Sequence, residues 1–283
     1  MERYHRGVRP TVEQLIKSVR GVKVGYSIMN KEASETMVFL HGFTGSSKTW
    51  ESVIKHLPTT VRCIAVDLLG HGKTEAPLES ERYQMQEQVL DLHDLFVSLQ
   101  ISAFTLVGYS MGGRISLAYA LTFPEHVKQL VLESASPGLQ SVTQQQARTK
   151  ADESLANKIE LEGLPAFIDF WQDIPLFLSQ KKLPVLKRQA IREERLQQSS
   201  LGLANSLKGI GTGSQPSYWP RLDELKMRVT LITGEFDQKF QLIAQQMKIC
   251  IANSHHLEVL AVGHAIHVEN PVQFATIIME QVK

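Results

Sequence analysis

Cysteine occurs only twice in the 283 residues, at Cys63 and Cys250, and both positions have apolar neighbours. Two thiols cannot build a secreted disulfide framework, and buried thiols in a reducing compartment fit better. Charge of one sign is not in excess either. Thirty Lys and Arg stand against 29 Asp and Glu, for a formal net charge of +1. Nothing in that balance draws the chain to nucleic acid or to an anionic membrane surface. No apolar run approaches the roughly 20 residues that a membrane span requires. The first twenty residues set Arg3, Arg6 and Arg9 beside Glu2 and Glu13 without an apolar stretch, unlike a signal peptide. They are expected to form a short extension, partly helical at best. Repeats and low-complexity tracts are absent as well. These exclusions leave a cytoplasmic protein acting on a small molecule, as a monomer or small homo-oligomer.

The hydrophobic fraction of 43% against 21% charged residues suffices for a large buried core. Strand-like runs recur at 22–28, 36–41, 61–68, 103–109, 127–133, 228–234 and 257–262. The segments 127–132 and 229–232 are continuously apolar, as in parallel strands covered on both faces. Helix-like segments alternate with them. The clearest is 85–99, where Val89, Leu92, Leu95, Phe96 and Leu99 recur at helical spacing. Others cover 111–121, 240–251 and 271–282, the last opening with Pro271 at a first helical position. This alternation predicts a doubly wound, mostly parallel α/β sheet.

Between Pro137 and Ser217 the alternation stops, and prolines punctuate a stretch rich in Gln, Lys, Arg and Leu. It reads as about four helices inserted between two core strands. Such an insertion must lie near the strand C-terminal ends, where open α/β sheets bind ligands. The expected organisation is an extension over 1–20, a core over 21–136 and 218–283, and a helical cap over 137–217.

Chemistry enters at Gly108-Tyr109-Ser110-Met111-Gly112, which follows the apolar run 104–107. A serine between two glycines at a strand-to-helix turn is the nucleophile elbow of the α/β-hydrolase fold. The glycines are steric necessities, because side chains beside so tight a turn would strike neighbouring elements. Three further features stand at the ends of strand-like runs. His41-Gly42-Phe43-Thr44-Gly45-Ser46 is the loop that in this fold supplies one backbone N–H to an oxyanion, with Met111 supplying a second. Asp237 follows a strand that ends at Gly234, and it is preferred over Glu235 and Asp223 as the acid that orients a histidine. In Gly263-His264-Ala265-Ile266-His267 two histidines compete. His267, nearest the helix at Pro271, is the expected base, with His264 expected to bond the loop backbone. The order Ser110, Asp237, His267 is the order this fold uses. His267 would take the Ser110 proton while Asp237 stabilises the imidazolium.

Beyond this set, Asp67-Leu68-Leu69-Gly70-His71-Gly72, Ser110-Met111-Gly112-Gly113-Arg114 and Ser136-Pro137-Gly138-Leu139 resemble the 2-succinyl-6-hydroxy-2,4-cyclohexadiene-1-carboxylate synthases of menaquinone biosynthesis. The resemblance runs from about Val22 to the C-terminus. It implies the α/β-hydrolase fold with an inserted cap, no metal and no cofactor. It also implies a lyase that eliminates pyruvate from a cyclohexene bearing several carboxylates, with Ser110 as a base that removes a ring proton and the Phe43 N–H as the first oxyanion donor. Substrate contacts are implied for Arg114, Arg148 and Arg195, with Tyr109, Trp171 and His41 beside them. Arginine suits this role, because its planar fork binds carboxylates bidentately and stays charged.

Two other readings compete. A carboxylesterase or carbon–carbon bond hydrolase of the same fold would use the same triad, but Arg114 and the cap arginines would have no partner in a neutral ester. A binding protein without activity would have no use for all three of Ser110, Asp237 and His267.

Overall fold

Side chains that alternate between two apolar layers define the central strands. In β3 (Glu35–Leu40), Val38 and Leu40 enter one layer while Met37 and Phe39 enter the other. None of the four is more than 1% exposed, the condition of a strand covered on both faces. The pattern repeats in β5 (Phe104–Tyr109), β6 (Val127–Glu133) and β7 (Arg228–Gly234). With β1 (Glu13–Val19), β2 (Val22–Met29), β4 (Val61–Val66) and β8 (Ser254–Val259) they form one eight-stranded sheet ordered β1-β2-β4-β3-β5-β6-β7-β8. β2 runs antiparallel to β1 and β4, and the other pairings are parallel. This computed structural model describes residues 12–280 of the chain.

Helices α2 (Met85–Ser98), α3 (Met111–Thr122) and α7 (Gln238–Cys250) cover the layer that holds Val38 and Leu40. The opposite layer is closed by α1 (Glu51–Ile54), the single turn α8 (Ile266–Glu269) and α9 (Pro271–Glu280). Between β6 and β7 lie α4 (Val142–Trp171), a 3₁₀ segment Pro175–Lys182, α5 (Val185–Leu196) and α6 (Ser200–Ile210). Ala156, Ile159, Phe167 and Ile168 of α4 pack on Leu203, Ala204 and Leu207 of α6, giving this helical insertion a core of its own. α4 is broken at Gly163, whose φ of 83° and ψ of 163° leave the helix. Pro165 two residues on has no N–H to give and would strike a carbonyl of the preceding turn in a continuous helix, so the chain kinks there.

Three expectations need correction. The segment over 1–20 is not simply an extension, because residues 13–19 add an edge strand to the sheet; residues 1–11 lie outside the described residues. The last strand occupies Ser254–Val259 rather than 257–262. Cys250 is exposed at the end of α7, while Cys63 is buried, and both thiols are free.

Candidate active site

The turn from β5 into α3 is made by Ser110, with φ 49° and ψ −107°. Backbone in this region is strained for any residue with a side chain, and such strain persists only where the surroundings impose it. Here the Ser110 N–H donates to the Glu133 carbonyl at 2.9 Å, and the Arg114 N–H closes the first helical turn onto the Ser110 carbonyl at 3.0 Å. Gly112 presses on the main chain of Leu40 and His41, where a Cβ would overlap backbone atoms. The elbow thus holds the serine hydroxyl above the ends of the parallel strands.

His264 meets it there. The Ser110 hydroxyl donates to His264 Nε2 at 3.1 Å, and His264 Nδ1–H donates to Asp237 Oδ2 at 2.6 Å. His264 is 1% exposed and Asp237 5%. Asp237 stands just ahead of α7, its N–H bonded to the Gly234 carbonyl at 3.0 Å. Glu235 is turned away and accepts from the Ala261 N–H at 2.7 Å, and Asp223 is exposed on a surface turn. Of these three acids, Asp237 is the one that meets a histidine beside Ser110.

That histidine is not the expected one. His267 was expected to reach Ser110, but its ring points into the fold. Its Nδ1 lies 2.9 Å from both carboxylate oxygens of Glu133, its Nε2 lies 2.9 Å from Thr49 Oγ1, and it stacks on Trp50 at 4.3 Å. α8 carries His267 inward as part of the turn that leads into α9, whereas His264 precedes that turn and stays at the strand ends. His41 is likewise no substrate contact. It is fully buried, accepts from the Leu68 N–H through Nε2 at 3.0 Å, and donates from Nδ1 to the Gly42 carbonyl at 2.8 Å. Burial holds its pKa down at about 4. It is a neutral brace that fixes the loop after β3. Among the described residues the backbone N–H groups of Phe43 and Met111 have no acceptor, as donors reserved for a developing oxyanion would be.

Ser110 and His264 open on a cavity of about 410 Å³ between the sheet and the helical insertion. Arg114, Arg148, Tyr109 and Trp171 line it as expected. Arg114 is 8% exposed, and its Nη1 donates to the Ile210 carbonyl at 2.8 Å and to Gln215 Oε1 at 2.5 Å. Burial lowers its pKa to about 10, which leaves it cationic at neutral pH, and Asp152 is the carboxylate that supports its charge. Arg148 Nε donates to Asp152 Oδ1 at 2.8 Å. Trp171 lies against Phe167 and Phe43, with centroids 5.6 and 5.4 Å apart.

Arg195 does not line this cavity. It borders two neighbouring cavities that share Phe177 with the catalytic one, and its guanidinium sits 4.8 Å from the Phe177 ring centroid. Sequence reasoning missed Lys239 and Ser134, both in the cavity wall. Lys239 stands two positions after the triad acid, which was an available signal. Ser134 follows a strand end and has φ 47°; nothing in the sequence distinguishes it. Its hydroxyl and the Trp171 Nε1–H are buried without a protein partner, so both are open to a ligand.

The loop after β3 is also tied to the insertion. Glu194 of α5 accepts from the Ser46 N–H at 3.0 Å and from the Ser46 hydroxyl at 2.6 Å. Burial raises the Glu194 pKa, and the two Ser46 bonds oppose that.

A model of the alpha/beta hydrolase fold family matches residues 35–271. A protein of Bacillus subtilis (strain 168), provisionally named a 2-succinyl-6-hydroxy-2,4-cyclohexadiene-1-carboxylate synthase, is 45% identical over 92% of this chain and 94% of its own. The synthase of that name from Enterobacter sp. (strain 638) is 32% identical over 84% of this chain and 88% of its own. Among solved structures, MenH from S. aureus superposes with a TM-score of 0.86 at 36% identity, covering 90% of this chain and 96% of that one.

Proposed function

The chain belongs to the alpha/beta hydrolase fold family and, within it, to the 2-succinyl-6-hydroxy-2,4-cyclohexadiene-1-carboxylate synthases, and on that premise we propose how its residues carry the reaction. It is a carbon–oxygen lyase of menaquinone biosynthesis. It eliminates pyruvate from 2-succinyl-5-enolpyruvyl-6-hydroxy-3-cyclohexene-1-carboxylate and leaves the conjugated cyclohexadiene.

In our reading Ser110 is a base rather than an acyl-accepting nucleophile. His264 draws the proton from the Ser110 hydroxyl, and Asp237 stabilises the imidazolium. The Ser110 oxygen then takes the ring proton beside the succinyl ketone. Charge moves onto the ketone oxygen, which the Phe43 and Met111 N–H groups hold as an enolate. The electron pair returns through the ring alkene, the C–O bond to the enolpyruvyl group breaks, and the departing enolate takes the proton held by His264 and becomes pyruvate, which leaves Ser110 and His264 as they began. Arg114 and Arg148 bind carboxylates, with Trp171 and Tyr109 against the ring.

The observation that carries this reading is the coincidence of the Ser110–His264–Asp237 chain with a cationic cavity. A neutral ester would cover those cations and offer none of them a carboxylate. No described helix is long and apolar enough to cross a membrane. We further propose that the enzyme works in the cytoplasm on this small, multiply anionic molecule, as a monomer or small homo-oligomer; its two free thiols fit a reducing compartment. The helical cap over 137–217 is read as the part that closes the site. The test is pyruvate release from the authentic substrate, which Ser110→Ala should lower by on the order of 10³ or more. Absence of release by the wild-type protein overturns the proposal.

A further inference from the structure

Three cationic side chains reach the catalytic cavity, and their commitments differ. Arg114 gives Nη1 to two protein acceptors. Arg148 gives Nε to Asp152, among the described residues the one carboxylate that lines the cavity. Among the described residues, the Lys239 ammonium has neither a carboxylate within salt-bridge distance nor a hydrogen-bond acceptor, and its nearest specific contact is the Phe240 ring at 5.5 Å. The sequence fixes its position tightly, because Asp237 is the residue just before α7 and Lys239 is the second residue of that helix. The exposed cation therefore lines the cavity two residues from the acid that orients His264.

Like charges share this cavity wall. Arg148 disfavours the charged form of Lys239, and it does the same to Arg114. Burial also lowers the Lys239 pKa, and it is the larger influence. Asp152 and Asp237, the latter favouring the charged form of Lys239, are two carboxylates against three cations, so this wall keeps a net positive charge. Such an arrangement is unfavourable until an anion bridges it, and a ligand with more than one carboxylate does so best.

We propose that Lys239 is a substrate-binding residue whose ammonium, in the same cavity wall as Arg114 and Arg148, takes one carboxylate of a polycarboxylate ligand. The proposal rests on the lyase reading for the identity of that ligand, but the charge arrangement stands without it. A flexible, point-charge ammonium at the rim and a planar guanidinium deeper in the wall divide the work. Lys239 receives a carboxylate as it arrives, and Arg114 and Arg148 fix its orientation.

Lys239→Gln removes the charge and keeps a polar side chain one atom shorter, while Lys239→Arg keeps the charge. In the pyruvate-release assay Lys239→Gln should raise KM about tenfold, the scale of one charge-assisted hydrogen bond at a partly exposed site, with a smaller change in kcat. Lys239→Arg should recover most of the loss, and both variants should melt with the wild type. Calorimetric titration with succinate at low ionic strength should show the same order of affinities: wild type near Lys239→Arg, and Lys239→Gln weaker. If wild-type protein binds succinate through Lys239 but releases no pyruvate, the lyase reading fails and the anion site stands. If Lys239→Gln matches the wild type in KM, or in succinate binding, the proposal is overturned.

Discussion

Arg148 Nε lies 2.8 Å from Asp152 Oδ1 one helical turn away, and the two partners differ in exposure: the carboxylate side chain is 1% exposed and the guanidinium 37%. The arginine thus neutralises a buried acid while lining the catalytic cavity. Arg148→Ala should therefore damage both stability and substrate use. Leaving the Asp152 charge buried and unpaired should cost about 3 kcal/mol, visible as a lower urea midpoint. Adding Asp152→Asn should restore most of that stability and none of the substrate affinity. Recovery of KM in the double variant would show that Arg148 serves only Asp152.

The two histidines of the C-terminal loop should separate cleanly on substitution. His264→Ala removes the partner of both Ser110 and Asp237 and should lower pyruvate release by on the order of 10³ or more with little loss of stability. His267→Ala breaks a fully buried pair with Glu133 and should cost about 3 kcal/mol in denaturant unfolding. An inactive, fully stable His267→Ala protein would return His267 to the catalytic role.

Acid should weaken the fold through two histidines that take no part in chemistry. Burial holds His41 at about 4 and His71 at about 3, against 6.5 for the free side chain. Below pH 6.5 the unfolded chain binds protons that the folded one refuses, so stability falls as pH drops toward 4 for His41 and toward 3 for His71. Above pH 6.5 neither contributes. At pH 5 the two together should remove about 4 kcal/mol relative to pH 7. A urea midpoint that holds constant from pH 7 to pH 5 contradicts this.

Neutral esters should be poor substrates. For p-nitrophenyl acetate kcat/KM should lie on the order of 10⁴ below that of the lyase reaction, because the cations of the cavity gain no partner from it. Rapid ester turnover would favour the hydrolase alternative.

The central strands were legible in the sequence because burial on both faces leaves runs such as Leu130-Val131-Leu132 with no polar interruption. Edges were harder. Glu13–Val19 carries Glu, Gln, Lys and Ser on an exposed edge strand, and Ser254-His255-His256 opens the opposite edge with polar residues. Both look like loop until pairing is known. Ser110 and Asp237 were legible because a strand end dictates where each side chain points. The histidine was not, since three residues within one loop decide between facing the strand ends and facing the core. That choice follows from Glu133, a carboxylate distant in sequence that captures His267. Arg195 was misplaced for a similar reason: sequence puts it in the insertion, but only packing against Phe177 decides which cavity it borders.

Glu133 has one more consequence. Its carbonyl holds the Ser110 N–H, and its carboxylate holds the backbone N–H and the ring of His267, three positions beyond His264. Ser110 and His264 are 154 residues apart in the chain, yet one glutamate braces both the turn that carries the serine and the loop that leads away from the histidine. A change at Glu133 would therefore loosen the two sides of the proton's path at once, with neither reacting side chain altered.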